Sequence, residues 1–263
     1  MTWAVHQLVN IIREYYRYPV STLVSMEYSA KLLFPAVTIC NLNRLRMSKL
    51  DGNLRFLKRP LQVTRHRELM TMLIREYSRG DRIARGHVME DMFLACTFNL
   101  EPCTVDDFIE EMYMRSGNCY TFGDTVTDKK ERYTNKAGPA NGLILDLDIG
   151  RSEYLRSSSA YGVNILLHNG SEYAFPYDGG IVTGPGFSTS IALRKVESYL
   201  LPAPYGMCVE SDSVSQRINL FSQLGYSYTD LACKRSCHQV KLLNECRCYE
   251  EDVPGGIDAM KIL

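Results

Sequence analysis

Four cysteines, Cys233, Cys237, Cys246 and Cys248, fall close together near the end of the chain, and whatever they bind restricts every nearby segment. A zinc site fits poorly, because paired zinc ligands usually flank turn-forming spacers of about two to four residues. Here a single residue separates Cys246 from Cys248, and Leu242-Leu243 between the pairs demands a core. Disulfide bonding fits better. On a strand, residues i and i+2 face opposite ways, so Cys246 and Cys248 are expected to reach different partners. The chain holds nine cysteines in all. That many suits an oxidising compartment, and an odd count leaves at least one without a partner inside the chain.

The 263 residues suffice for one large domain or two small ones, and the formal charge sums to zero. A neutral balance argues against nucleic acid as the main partner. At the start, Trp3, Ala4, Val5, Leu8, Val9, Ile11 and Ile12 form an apolar stripe that His6, Gln7, Asn10, Arg13 and Glu14 interrupt. A membrane helix needs about 20 largely apolar residues, and a secretory signal needs an unbroken apolar run. Taken alone, this stretch reads as an amphipathic helix.

Tyr18-Pro19 ends it, since the residue before proline disfavours the helical region. Phe34 to Ile39 is short, apolar and rich in strand formers, as a buried strand after a turn would be. From Arg44 to His87, twelve Lys and Arg stand against four acids. Leu69, Leu73, Ile74 and Tyr77 sit at helical spacing there, so the charges read as a solvated helix face. Thr104 is expected to cap another helix, with Asp106 and Asp107 at its positive end and Phe108, Met112 and Met114 on its buried side. Gly117 is expected to end it. From Leu143 the period changes to two: Leu145, Leu147 and Ile149, then Val163, Ile165 and Leu167, then Ile191 and Leu193. Asn169-Gly170, Asp178-Gly179-Gly180 and Gly184-Pro185-Gly186 punctuate these strands as turns. Asn169-Gly170-Ser171 is a glycosylation sequon in one of them. Cys96 and Cys103 flank a short loop that suits a local bridge.

Catalytic motifs are lacking. No Gly-x-Ser-x-Gly elbow, His-Glu-x-x-His helix or phosphate loop occurs, and the five histidines share no motif. Asp106, Asp107, Glu110 and Glu111 follow helical spacing and read as a solvated face. The residues therefore describe a non-enzymatic, disulfide-rich sheet domain with a helical insertion, with no catalytic, cofactor or metal site. A secreted or surface binding module is one reading of that description.

A second reading comes from resemblance. Tyr228, Cys233, Ser236, Cys237, Gln239, Leu242, Leu243, Cys246 and Cys248 keep the intervals of the cysteine-rich region of the degenerin, epithelial sodium channel and acid-sensing channel family. Leu231 departs from the family's usual polar or aromatic residue. Phe34-Pro35-Ala36-Val37-Thr38-Ile39-Cys40-Asn41 resembles the family's first extracellular strand, and Gly117-Asn118-Cys119-Tyr120-Thr121-Phe122 follows in the right order. Leu201-Pro202-Ala203-Pro204-Tyr205-Gly206-Met207-Cys208 resembles the segment before the cysteine-rich region. The likeness runs from about Tyr18 to Gly256.

The resemblance implies an α+β fold: an antiparallel-rich mixed sheet (palm and β-ball) with a helical finger insertion, stapled by disulfides and preceded by the end of a membrane helix. Residues 1–17 would be the outer end of the first membrane helix and 18–43 the first palm strand. Residues 44–122 would form the helical finger, 123–207 the palm and β-ball strands, and 208–263 the start of the cysteine-rich thumb. On this reading the chain is a fragment, lacking the rest of the thumb and a second membrane helix. Cys40 would meet Cys119, and Cys96 would meet Cys103. Cys208, Cys233, Cys237, Cys246 and Cys248 would lack partners and remain free thiols. Tyr18 would touch Tyr205 and transmit movement to the pore. The complete protein would be a plasma-membrane, sodium-selective, amiloride-sensitive channel, a homo- or hetero-trimer with this portion outside the cell. Tyr18-Pro19-Val20-Ser21 lacks the paired histidines of the acid-sensing branch, and Arg156 to Tyr161 lacks its carboxylates. The sequence thus looks closer to the invertebrate degenerin and pickpocket branches, and proton gating is not expected.

Overall fold

The computed structural model describes residues 2–50, 74–154, 158, 160–208, 219–250 and 252–253, in two compact units. The smaller comprises residues 1–29 and 191–215, the larger residues 30–190 and 216–263. The helix expected across Leu69 and Leu73 lies largely outside the described residues.

In the smaller unit, α1 (Thr2–Tyr15) has the stripe's helical form, and Trp3, Leu8 and Ile11 are exposed. Its 14 residues reach about 21 Å at 1.5 Å each. Among the described residues, no helix is long and apolar enough to cross a membrane. The strand expected at Ile191 and Leu193 does not form; residues 191–200 carry no regular structure. Their alternation is broken by Arg194-Lys195, and among the described residues no strand pairs with them.

The larger unit is built on β2 (Ala36–Asn41), which follows a two-residue β1 (Leu32–Leu33). All six residues of β2 are buried, so the sheet is covered on both faces. Beyond it come α2 (Arg79–Arg85), α3 (Met89–Met92), β3 (Phe93–Phe98) and β4 (Glu101–Pro102). Then follow β5 (Phe108–Tyr113), β6 (Gly117–Phe122), β7 (Tyr133–Thr134) and β8 (Leu143–Leu147). Last are β9 (Val163–His168), β10 (Ile181–Thr183) and α4 (Asp230–Cys246). The main sheet runs β10-β9-β2-β6-β5; β4-β3-β8 and β1-β7 form two smaller sheets. Every pairing within them is antiparallel.

The small sheet lays Leu143, Leu145 and Leu147 with Phe93 and Phe98 against Val37, Ile39, Phe108 and Phe122 of the main one. Phe122 centres this core, with ring centroids of Phe98 and Phe108 at 5.2 and 5.4 Å. The Arg132 guanidinium lies 4.3 Å above its face, held by Asp128 and Asp107 at 2.8 and 3.1 Å. On the opposite face, Thr38 binds Thr121 at 2.8 Å and His168 Nε2 at 2.9 Å. Farther along it, Tyr173 and Phe175 pack against Phe221, beside Ala232 of α4.

The helix expected after Thr104 is instead one 3-10 turn, Val105–Asp107, leading into β5. Thr104 does act as a cap, in a reciprocal pair with Asp107. Phe108 and Met112 share a face in either structure, because a spacing of four suits both periods. Gly117 then turns the chain rather than ending a helix. It takes φ +78°, and a Cβ there would lie 3.0 Å from the Arg44 backbone. The acidic residues are correspondingly not one helix face: Glu111 pairs with Arg79 at 2.6 Å and Glu110 accepts from Tyr120 Oη at 3.0 Å.

His87, only 3% exposed, accepts a hydrogen bond from Asn43 Nδ2 at 3.0 Å. Burial, aided by the Arg46 charge, pushes its pKa down to about 4. The unfolded chain takes up this proton near pH 6.5 and the folded one does not, so stability falls as pH drops from 6.5 towards 4. The expected loss is about 3 kcal/mol between pH 7.5 and pH 4. Urea unfolding of the parent and His87→Gln at both pH values measures it; parallel losses in the two proteins would contradict it.

Candidate functional site

Three constructions in the structure carry the residues singled out by sequence. The first is in the smaller unit. Tyr18 N donates to Tyr15 O at 3.3 Å, and Tyr18 takes φ 49° directly before Pro19. Residues 202–206 make a tight turn, with Tyr205 N and Gly206 N both donating to Pro202 O at 3.1 Å. A Cβ on Gly206 would lie 2.4 Å from Leu201 O, so the turn admits no side chain there. The rings of Tyr18 and Tyr205 meet edge to face, 5.5 Å between centroids. Tyr15 and Tyr16 complete the aromatic cluster around Tyr18, each 6.4 Å from it.

The second is the set of cross-links. Cys40 and Cys119 stand directly opposite each other on β2 and β6, with Cα atoms 4.3 Å apart, and are bonded. Cys96 and Cys103 are bonded at a Cα separation of 5.1 Å, closing the β3-β4 hairpin. Its two-residue loop, Asn99-Leu100, has positive φ at both positions, the geometry that suits tight hairpins. Cys246 and Cys248 depart from expectation. The segment is the end of α4, not a strand, and Arg247 follows it with φ 56°. That turn brings the two Cα atoms to 5.2 Å, and the cysteines are bonded to each other rather than left as free thiols. Cys208, Cys233 and Cys237 are free. Among the described residues, no group of three or more His, Cys, Asp or Glu side chains could share a metal ion.

The third is α4 itself. Thr229 caps it by accepting from Ala232 N at 3.0 Å. Ala232, Ser236, Gln239 and Leu243 recur at helical spacing and are buried. Ser236 Oγ donates to Ala232 O and accepts from Leu220 N; Gln239 Oε1 accepts from Glu250 N at 2.9 Å. Two polar residues of the cysteine-rich pattern are thus the hydrogen-bonded core face of this helix. Arg235, which sequence reading passed over, binds both carboxylate oxygens of Asp178 at 2.6 Å and Glu250 at 3.3 Å. One guanidinium therefore pins α4 to the loop before β10. Asp252, beside it, accepts from Met114 N at 2.6 Å, and burial holds its carboxyl above the usual range. The only hint of this cluster in the sequence was a charged residue between two cysteines, too common a feature to single out.

Asn169 sits exposed in the turn after β9, its Oδ1 accepting from Ser171 N at 3.3 Å. Gly170 is buried under it; a Cβ there would lie 2.5 Å from Gly123 O.

The sequence has known relatives. Residues 1–261 match the family described as amiloride-sensitive sodium channel. Acid-sensing ion channel 1A of Danio rerio is 29% identical over 97% of this chain and 55% of its own length. Degenerin deg-1 of Caenorhabditis elegans is 34% identical over 73% of this chain and 24% of its own length. Degenerin mec-10 of the same organism is 30% identical over 76% and 27% respectively. The chain thus spans about half or less of the length of the curated relatives it matches. With a match over nearly its whole length, the chain belongs to the amiloride-sensitive sodium channel family.

Proposed function

We propose that this chain is the extracellular portion of an amiloride-sensitive, sodium-selective channel subunit of the plasma membrane, trimeric when assembled. The observation that carries this reading is the contact of Tyr18 with Tyr205, which ties the end of α1 to the Pro-Tyr-Gly turn. Movement in the turn would reach α1 through that pair, and α1 would continue the path to the pore. Asn169, exposed in its turn, would carry a glycan. Protons are not the stimulus in this reading: no histidine lies in Tyr18-Pro19-Val20-Ser21 and no carboxylate in Arg156 to Tyr161.

The test is a chimera in which residues 18–250 replace the matching span of the Danio rerio acid-sensing ion channel 1A, expressed in oocytes. A sodium current blocked by amiloride, present at rest or under membrane stretch and not evoked by an acid step, is the expected result. Chimeras that reach the surface by biotinylation but stay silent, or that conduct only on acidification, would contradict it.

A further inference from the structure

Cys246 and Cys248 are joined across a single residue, against sequence separations of 79 for Cys40–Cys119 and 7 for Cys96–Cys103. A cross-link stabilises largely by restricting the unfolded chain, and that contribution shrinks with the loop it closes. The smallest ring therefore gains least. Solvent access differs in the same direction: Cys246 and Cys248 are both exposed, whereas Cys40, Cys119 and Cys96 are buried. Exposed disulfides with little to hold them closed are the ones that exchange with thiols. The surroundings also suit the open form. The sulfurs of Cys246 and Cys248 lie 3.1 and 4.0 Å from Leu242 O, near the end of α4. A disulfide has no hydrogen to offer that carbonyl, and a thiol has one. Arg247 between them holds φ 56°, a region that residues with a side chain rarely adopt, and opening the ring releases it. The helix does not depend on the ring, since Ser236 and Gln239 anchor α4 through its buried face.

We propose that the Cys246–Cys248 bond is a thiol–disulfide exchange site whose co-substrate is a small thiol of the glutathione class. The incoming thiolate attacks either sulfur, a mixed disulfide forms, and the S–S electron pair leaves with the other cysteine as its thiolate. A second thiolate attacks the mixed disulfide and departs as the oxidised dimer, releasing the first cysteine. Two small thiols are thus oxidised to one disulfide, and one protein disulfide is reduced to two thiols. The chain's own free thiols on α4 do not compete, because Cys237 stands nine residues before Cys246, about 13 Å along the helix. This assignment does not rest on the channel reading.

The purified 263-residue chain is first capped with N-ethylmaleimide, which removes its free thiols from the experiment. It is then equilibrated without oxygen in glutathione buffers of rising reduced-to-oxidised ratio, quenched, labelled with iodoacetamide and read by peptide mass spectrometry. Cys246 and Cys248 are expected to take the label together at a ratio at least tenfold below that which opens Cys40–Cys119 or Cys96–Cys103. A glutathione adduct on one of them should appear at intermediate ratios, and the far-UV circular dichroism should be unchanged there. In Cys246→Ser, Cys248 should be capped in the first step and carry no adduct. Capping of Cys246 and Cys248 in the untreated parent would overturn the assignment. So would their staying closed until another disulfide opens, or a loss of helix signal that accompanies their opening.

Discussion

Removing the Cys40–Cys119 bond is expected to destabilise the larger unit by about 4 to 5 kcal/mol. The bond closes a loop across a sequence separation of 79 residues. A cross-link that long restricts the unfolded chain by about 4.5 kcal/mol in the loop-entropy account. The two cysteines are direct cross-strand neighbours in register, so the bond joins positions that the sheet already holds together. Cys40→Ser/Cys119→Ser, which leaves no new free thiol, should shift the urea midpoint accordingly. A loss below about 1 kcal/mol would show that the unfolded chain is held compact by something else.

The second large effect is at Phe122, which is 1% exposed. Truncating a buried Phe to Ala typically costs about 3 to 5 kcal/mol, from lost transfer energy and the cavity left behind. Here Phe34, Phe98 and Phe108 all converge on the ring, and Arg132 covers one face. Arg132 would lose its aromatic partner while remaining buried beside Asp107 and Asp128. Phe122→Ala is therefore expected at the upper part of that range, and Phe187→Ala, at an 84% exposed position, near zero. Equal midpoints for the two variants would mean that the core is not centred where the structure puts it.

The strands were legible where polar and apolar residues alternate, as in Leu143 to Leu147, or where a β-branched run follows proline, as in Ala36 to Asn41. Where spacing fits both periods, sequence reading chose wrongly. Phe108 and Met112 are four apart, and the deciding residue is Glu110 between them, which pairs across to Tyr120 in the hairpin. At the other end, attention to the cysteines hid a helix. Ala232, Ser236, Gln239 and Leu243 repeat at intervals of four, three and four, but three of them are small or polar and do not read as a core face. Their burial depends on partners far away in sequence, such as Leu220 for Ser236. The same holds for Arg235 and Asp178, 57 residues apart, which nothing local could bring together. The aromatic pair Tyr18 and Tyr205 was found through resemblance, since no periodicity links the two residues.

In the proposed function, that pair is the link between the Pro-Tyr-Gly turn and the end of α1. The direct measurement is a double-mutant cycle, Tyr18→Ala and Tyr205→Ala singly and together, on the amiloride-blocked current of the chimera. If the rings act on each other, each single change should alter the current and the double should add little to either. The coupling should then be of the order of 0.5 to 1.5 kcal/mol, the range for aromatic pairs. Independent effects that simply multiply in the double variant would contradict the proposed coupling.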